Sequence, residues 1–133
     1  DISAIVSRLL DDNQEQIRAH NIHVETHFDG SPKLNAPSSL LQISVGNLLR
    51  NAIEHTQEGS IKIAVTSDSF TISDTGEGIF AEKLHEVFDR SYTTKPGGTG
   101  LGLNLVRRIC DRFHWQIDIE SGSGVGTTVK ILF

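Results

Sequence analysis

One long amphipathic segment constrains the fold of this chain more than any other feature of its sequence. From about Pro37 to His55, apolar residues recur every three or four positions, which predicts a helix with a single buried face. The stripe comprises Leu41, Val45, Leu48, Leu49, Ala52 and Ile53. Because such a helix gains most of its stability from packing, other parts of the chain must cover this stripe.

Strand patterns on both sides of this helix provide the covering surface. Further helices are predicted over about residues 2–19 and 101–113, and a short one over about 80–87. Strands are predicted at residues 22–28, 60–66, 70–73, 116–120 and 125–133. The second and third strands form a hairpin. This order predicts an α/β fold: a two-layer sandwich in which a mixed β-sheet carries about three helices on one face.

Composition limits the partners of this chain. Its 133 residues suit a single domain, residues 1–133, and the lack of a starting Met makes us expect a piece excised from a longer protein. The net charge of −5 opposes nucleic-acid binding, which needs a basic face. No apolar run approaches the roughly 18 residues of a membrane span, so we expect no direct membrane contact by this domain.

A single cysteine, Cys110, excludes an internal disulfide and favours a reducing, cytoplasmic setting. The sequence around Cys110 predicts that it is packed in a helix.

Two asparagines lie beside the apolar stripe of the long predicted helix. Asn47 and Asn51 are four residues apart and share one face, and His55 continues the same row. An amide oxygen suits Mg²⁺, which usually keeps several waters and takes few protein ligands. The row is therefore a candidate metal site, although hydrogen bonds to neighbouring backbone would also account for it.

A glycine-containing turn directly follows the predicted hairpin. It reads Asp74-Thr75-Gly76-Glu77-Gly78-Ile79. A carboxylate at a strand end can accept a hydrogen bond from an exocyclic amine such as adenine N6. Glycines let the backbone come close to a flat ring. The segment suits adenine recognition, and an ordinary glycine turn is the alternative.

A second glycine-rich segment runs straight into the start of a predicted helix. It reads Gly97-Gly98-Thr99-Gly100-Leu101-Gly102-Leu103, and the loop ahead of it, residues 89–100, is predicted to be exposed and mobile. Unhindered amides at a helix N-terminus suit phosphate oxygens. Lys95 in the loop supplies a charge for a terminal phosphate. The alternative is a plain flexible hinge.

In combination these segments resemble the ATP-binding catalytic domain of sensor histidine kinases. The matching segments are the N box (NLLRNAIEHT, 47–56), the first glycine box (DTGEGI, 74–79), the F box and short lid (VFDRSYTTK, 87–95), the second glycine box (GGTGLGL, 97–103) and the closing strand (GVGTTVKILF, 124–133). Their order and spacing agree across about residues 40–133. The resemblance implies the nucleotide-binding α/β sandwich, the Bergerat fold, that this family shares with gyrase-type ATPases and heat-shock chaperones.

The resemblance also implies roles for the matching positions. Asn51 would coordinate Mg²⁺, with Asn47 beside it as a candidate second ligand, and Asp74 would accept the adenine amine. Thr127, in preference to Thr128, would support the adenine through its hydroxyl. The implied catalytic residues are Asn47, Asn51 and Lys95. The implied nucleotide-binding residues are Asn51, His55, Asp74, Gly76, Gly78, Ile79, Phe88, Thr94, Lys95, Gly98, Thr99, Gly100, Leu101, Gly102, Leu103 and Thr127.

Two departures from the family pattern fall at the phosphate end. Many members carry a basic residue three positions after the second N-box asparagine, where this chain has Glu54. The usual F-box pattern Phe-x-Pro-Phe is replaced by Phe88-Asp89-Arg90-Ser91. An acid beside a triphosphate repels it unless it turns away or pairs with a base. One alternative is therefore a non-catalytic module of the same fold that binds nucleotide or protein.

Asn47 separates the enzyme classes within this superfamily. Relatives that hydrolyse ATP, and the anti-sigma serine kinases, usually carry a glutamate at this position, which can deprotonate water or a hydroxyl, whereas an amide cannot. A target imidazole needs no strong base because it is already a nucleophile near neutral pH. The resemblance thus implies transfer of the γ-phosphoryl of Mg-ATP to a histidine on a separate dimerisation domain of the same protein, with a downstream response regulator. An anti-sigma-type serine kinase is the alternative.

The sequence offers neither a phosphoacceptor at His85 nor a metal site among His20, His23 and His27. The segment beginning at His85 lacks the proline of a phosphoacceptor motif and overlaps the F box. His20 and His23 would share a helix face only if the first helix continued into the predicted strand at residue 22. We therefore expect His20, His23 and His27 to be solvated surface residues.

Overall fold

The chain folds into alternating helices and strands, as its sequence patterns predict. The computed structural model describes residues 2–56, 58–75, 102–122 and 126–133. The elements within these ranges are α1 (Ile2–Asp12), α2 (Gln14–Ala19), β1 (His23–Asp29), α3 (Ser38–Glu54), β2 (Ser60–Thr66), β3 (Ser69–Asp74), α4 (Gly102–Arg112), β4 (Gln116–Gly122) and β5 (Gly126–Leu132). The short helix predicted at about 80–87 lies outside the described residues.

The strands form one mixed sheet. Their order is β1-β2-β3-β5-β4, with β1 parallel to β2 and the other neighbours antiparallel. The parallel pair exists because α3 lies between β1 and β2 in the chain and returns it to the same end of the sheet, as parallel neighbours require. The predicted mixed sheet is therefore confirmed.

Within the described residues, three helices cover one face of this sheet. Alternation along β2 turns Ile61, Ile63 and Val65 toward the helices and leaves Lys62 exposed between them. Side chains from α1, α3 and α4 fill the other side of the core, which includes Val6, Leu48, Leu49, Val106 and Cys110. Within the described ranges α2 buries no residue. The predicted two-layer sandwich with about three packed helices is confirmed.

The single helix predicted over residues 2–19 is wrong in one respect, because it is broken at Asn13. The Asn13 backbone N–H and side-chain Nδ2 both donate to the Leu9 carbonyl, at 3.1 and 2.8 Å. An asparagine side chain can compete in this way for backbone acceptors, which makes asparagine a poor residue inside a helix. The chain therefore forms α1 and α2 in place of one straight helix.

The first strand is more exposed than its alternating sequence predicts. In β1 only Val24 is partly buried, and Phe28 is 42% exposed. Among the described strands β1 lies at the edge of the sheet, so it has a described sheet neighbour on one side only. The half-buried strand expected at residues 22–28 is an edge strand whose second half is solvated.

The one cysteine is part of the core. Cys110 is fully buried on α4, as its apolar surroundings in the sequence predict. Burial raises the pKa of the Cys110 thiol to about 11, and the neighbouring Asp111 carboxylate adds to the rise. The thiol therefore stays protonated at neutral pH and packs as a small apolar group.

No helix in the part of the chain that the structure describes has both the length and the apolar character needed to cross a bilayer.

Candidate functional site

The asparagine row lies along the edge of the core on α3. This helix ends at Glu54, and the His55 N–H that caps it donates to the Asn51 carbonyl at 3.1 Å. Asn47 and Asn51 are both half-buried, beside the buried positions Leu48 and Ala52. The structure thus places the predicted row at a boundary between core and solvent, where its amides can meet a ligand.

Asn47 already has a partner that the sequence analysis missed. The Arg50 guanidinium donates a hydrogen bond to Asn47 Oδ1 at 2.5 Å. Arg50 is the only basic residue of α3 and its side chain is exposed. The spacing of three residues in a helix is the available signal, because side chains at i and i+3 are neighbours on the surface.

The predicted adenine-binding acid ends a central strand. Asp74 is the last residue of β3 and pairs with Ile61 on β2 and with Thr127 on β5. Since side chains alternate along a strand, Asp74 shares the helix-facing side of the sheet with Phe70 and Ile72. A half-buried carboxylate is thereby held at the end of the sheet, beneath the helix layer.

The structure distinguishes between the two threonines of the closing strand. Thr127 lies directly opposite Asp74, with both residues on the helix-facing side of the sheet. Thr128 faces the other way, and its Oγ1 lies 2.9 Å from Ser73 Oγ on the outer face. Thr127 is therefore the threonine whose position suits the predicted adenine-supporting role.

A glycine allows this close pairing. Gly126 has a φ of +115°, and a Cβ placed there would lie 2.0 Å from the Asp74 carbonyl oxygen. Any larger residue would meet the backbone of Asp74 and would also be strained in its own backbone. Gly126 was not among the predicted site residues, although its place just before the two threonines could have indicated a backbone requirement.

Close packing joins the end of α3 to the end of β3. A Cβ at Gly59 would lie 2.3 Å from Thr75 Oγ1 and 3.0 Å from Thr56 Cγ2. The Ser60 N–H donates to Thr75 Oγ1 at 3.0 Å, and the Thr75 N–H donates to the Ser60 carbonyl at 3.1 Å. The asparagine row and the Asp74–Thr127 pair therefore lie at the same end of the molecule.

His20 ties the N-terminal part of the chain to this end. Its Nδ1 lies 3.0 Å from the Thr56 carbonyl, and its own carbonyl accepts from the Glu58 N–H at 2.8 Å. Because a carbonyl can only accept, Nδ1 carries the proton of this hydrogen bond. The expectation that His20 is a solvated surface histidine is wrong, since it is half-buried and bonded; His23 and His27 are exposed as predicted.

The start of α4 lies at the same end as well. The helix begins at Gly102, packs against α3, and leads through Trp115 to β4, whose first residue pairs with Leu132 at the far end of β5. α4 therefore runs away from the Thr127 end of β5. The first backbone N–H groups of α4, and the positive end of its dipole, therefore lie at the same end as Asp74 and Thr127.

Most of the predicted lid and most of the first glycine box lie outside the described residues. Gly102 and Leu103 are within α4. The predicted residues outside are Gly76, Gly78, Ile79, Phe88, Thr94, Lys95, Gly98, Thr99, Gly100 and Leu101. These residues remain predictions from the sequence.

Another polar cluster lies on the face of the sheet opposite the helices. On the outer sheet face, Glu25 lies between His23 and His27 at 3.8 and 3.9 Å, with Lys62 Nζ also at 3.9 Å. All four side chains are exposed, and ion pairs of this kind contribute little to stability. Within the described ranges, no three His, Cys, Asp or Glu side chains are placed to hold one metal ion.

Comparison with known proteins finds relatives of this sequence and of this fold. Sensor histidine kinase ZraS of Escherichia coli (strain K12) is 30% identical over 138 residues, covering 98% of this chain and 30% of that protein. The catalytic domain of histidine kinase ThkA superposes with a TM-score of 0.84 at 26% identity, covering 100% of this chain and 93% of that one. Full-length ShkA in complex with AMPPNP gives a TM-score of 0.87 at 20% identity, covering 99% and 29%.

The fold is the α/β sandwich found in the catalytic domains of histidine kinases. The chain belongs to the histidine kinase-, DNA gyrase B- and HSP90-like ATPase family, whose profile matches residues 36–133. The resemblance predicted from the N box, the glycine boxes and the closing strand is therefore confirmed. The chain spans less than a third of the length of the curated relatives first matched, between 14% and 30%.

Proposed function

We propose that this chain binds Mg-ATP in a sensor histidine kinase and presents the γ-phosphoryl group to a histidine on a separate dimerisation domain of the same protein. The observation that carries the proposal is the meeting of two residue sets at one end of the fold. The row of Asn47 and Asn51 suits the metal and phosphates, and the pair of Asp74 and Thr127 suits the adenine.

The adenine end supplies an acceptor held by the sheet. The Asp74 carboxylate would accept a hydrogen bond from the exocyclic amine, and the Thr127 hydroxyl directly opposite would support the same edge of the ring. A hydrogen bond to a charged acceptor is worth about 1.5–3 kcal/mol. This end therefore selects a base with an amine at that position.

The phosphate end supplies a metal ligand and amide donors. Asn51 fits Mg²⁺ because its amide is half-buried at the core edge and accepts no side-chain hydrogen bond within the described ranges. Bound Mg²⁺ would neutralise phosphate charge. The first amides of α4 would face the phosphates, together with Lys95 and the glycines of residues 97–103.

The amide at position 47 favours a histidine as the phosphoryl acceptor. Asn47 cannot act as a general base, and the oxygen of its side chain already accepts from Arg50. An imidazole needs no such base because its ring nitrogen is nucleophilic near neutral pH. The partners would be the dimerisation domain and then a response regulator, and the setting would be cytoplasmic.

Nucleotide binding is the first test. Calorimetry with the purified chain should show ATP binding that is strengthened by Mg²⁺, and Asn51→Ala should abolish the strengthening. Gln42→Ala, which removes an exposed amide from the same helix, is the matched control and should bind as the unaltered chain does. No binding of ATP with Mg²⁺ at millimolar protein would sink the proposal and leave a protein-interaction module.

Phosphoryl transfer is the second test. Radiolabelled ATP should not label the isolated chain, and it should label the dimerisation domain of the parent protein when the two are mixed. Phosphohistidine is acid-labile and phosphoserine is not, so acid treatment of the product identifies the acceptor. An acid-stable product would instead favour the serine kinase class.

A further inference from the structure

In α3, which contains most of the N box, the cation Arg50 contacts Asn47. This contact determines which atoms of the Asn47 side chain can bind a ligand. The exposed Arg50 guanidinium donates to Oδ1 of the half-buried Asn47 at 2.5 Å. Arg50 is also the only positive charge on α3. Its position between the two asparagines in the sequence places this charge beside the site.

The chemistry of arginine fixes the orientation of the amide. A guanidinium has N–H donors and no acceptor, so the Asn47 atom that faces it must be the oxygen. With about 100° of rotation per residue, Arg50 lies about 60° to one side of Asn47 and Asn51 about 40° to the other. The Asn47 NH₂ group is therefore the part of the amide that does not face Arg50.

The two asparagines consequently differ in what they offer a nucleotide. An oxygen that already accepts from a cation is a poor ligand for a second cation, whereas an NH₂ group is a good donor to a phosphate oxygen. Asn51 keeps its oxygen available because no side-chain hydrogen bond engages it within the described ranges.

We infer that Arg50 is a positioning residue that holds Asn47 as a hydrogen-bond donor to the phosphates of ATP, and leaves Asn51 as the asparagine of α3 that coordinates Mg²⁺. This inference rests on the proposed function. It replaces the idea of two equivalent amide ligands with a division between one donor and one metal ligand.

The free protein gives a direct readout of the contact. In a proton–nitrogen spectrum of the nucleotide-free chain, Arg50→Ala should shift the Asn47 side-chain NH₂ signals, which Asn47→Ala identifies by their loss. Lys130→Ala removes an exposed cation from the outer sheet face and should leave those signals in place. Unshifted signals in Arg50→Ala would overturn the inference.

ATP affinity gives the second readout. Arg50→Ala should weaken ATP binding about fivefold, both with Mg²⁺ and with EDTA, and should have less than about a twofold effect when Asn47 is already Ala. Arg50→Gln, which keeps an N–H donor without the charge, should restore part of the loss. Equal effects in the two backgrounds would mean that Arg50 acts on the phosphates directly, and would overturn the positioning role.

A carboxylate at position 47 separates the donor from the metal ligand. Asn47→Asp removes the NH₂ donor and adds a negative charge, so it should weaken ATP binding at least tenfold. If Asn47 were a Mg²⁺ ligand, the same change would maintain or strengthen Mg²⁺-dependent binding, which contradicts the inference. If the unaltered chain did not bind ATP, the proposed function itself would be refuted. The variants test the role of Arg50 separately, because each is compared with an unaltered chain that binds ATP.

Discussion

The two halves of the candidate site are built by different means. At the adenine half, Asp74 is held in β3 between β2 and β5, and the backbone of Gly126 approaches it too closely for any side chain. At the proposed phosphate half, Asn47, Arg50 and Asn51 project from the rim of a helix whose adjacent face lies in the core. One half depends on backbone geometry and the other on side chains.

This difference predicts how each half responds to substitution. Side chains on the rim of a helix are partly solvated, so substitutions there are tolerated. Glu54, for example, stands where many family members carry a basic residue, and α3 still extends to this position. The sheet end has no such freedom, because an added atom at Gly126 overlaps main-chain atoms of Asp74, the last residue of β3, and of Thr75 after it. Changes that add atoms at the sheet end should therefore affect folding, whereas changes on the rim should affect binding.

The largest expected effect comes from Gly126→Ala. Strain at a φ of +115° and the overlap with the Asp74 carbonyl together should lower the free energy of unfolding by about 3 kcal/mol or more. Urea unfolding followed by circular dichroism measures this. ATP affinity should fall as well, because relief of the overlap moves Asp74.

Gly46→Ala is the matched control for that substitution. A Cβ at Gly46 would meet the Leu9 side chain at 3.7 Å, an ordinary contact, and the position is within α3. Alanine there should stabilise the chain by up to about 1 kcal/mol, since glycine is a poor helix former. If both substitutions changed stability by the same amount, the distinction between a backbone-built half and a helix-built half would be lost.

Asp74→Asn should separate binding from folding within the adenine half. It keeps the size of the side chain, so the free energy of unfolding should change by less than about 1 kcal/mol. It removes the charged acceptor, so Mg-ATP affinity should fall at least tenfold, about 1.4 kcal/mol or more. Calorimetry in excess Mg²⁺ measures the loss. Asp118→Asn, on the exposed outer face of β4, should bind ATP normally, and retained affinity in Asp74→Asn would show that the adenine lies elsewhere.

The smallest expected effect concerns the core that both halves share. The Cys110 thiol has a pKa of about 11 when folded, against 9.0 as the ordinary value, so the folded state holds its proton more tightly. The stability that this gives is complete below pH 9 and is lost as the pH rises through 11; at pH 10 the loss is about 1 kcal/mol.

Cys110→Ala tests this titration. The variant loses packing at every pH, but its deficit relative to the unaltered chain should be about 1 kcal/mol smaller at pH 10 than at pH 8. Urea unfolding at the two pH values measures the change in deficit. A constant deficit would mean that the thiol is not held protonated by the core. ATP affinity at pH 8 should be unchanged, because Cys110 is far down α4 from Gly102.

Local patterns were enough to predict the elements that carry the site. The stripe from Leu41 to Ile53 predicts α3 to within a residue at each end, and alternation predicts β2 as observed. The break at Asn13 was not predicted, because the apolar spacing continues through it and the competing hydrogen bond to Leu9 depends on a side-chain conformation. The parallel pairing of β1 with β2 is also a long-range choice that no local pattern expresses.

The site was predicted through residue types and less well through contacts. Asn47, Asn51 and Asp74 are recognisable because their chemistry and spacing are unusual for a helix and a strand end. The Arg50 contact and the approach of Gly126 to Asp74 involve a rotamer and a cross-strand distance, which the sequence does not specify. His20 was misjudged for the same reason, since its partner Thr56 is 36 residues away.

The parallel pairing of β1 and β2 fixes more than the order of the sheet. Since α3 connects these two neighbours, its ends are anchored to strands whose alignment is set from His23 with Ser60 to Asp29 with Thr66. A slip of one residue in that alignment would move one anchor by about 3.3 Å and turn every side chain of the strand to the other face. The strand register therefore sets the distance between the asparagines of α3 and Asp74 at the end of β3.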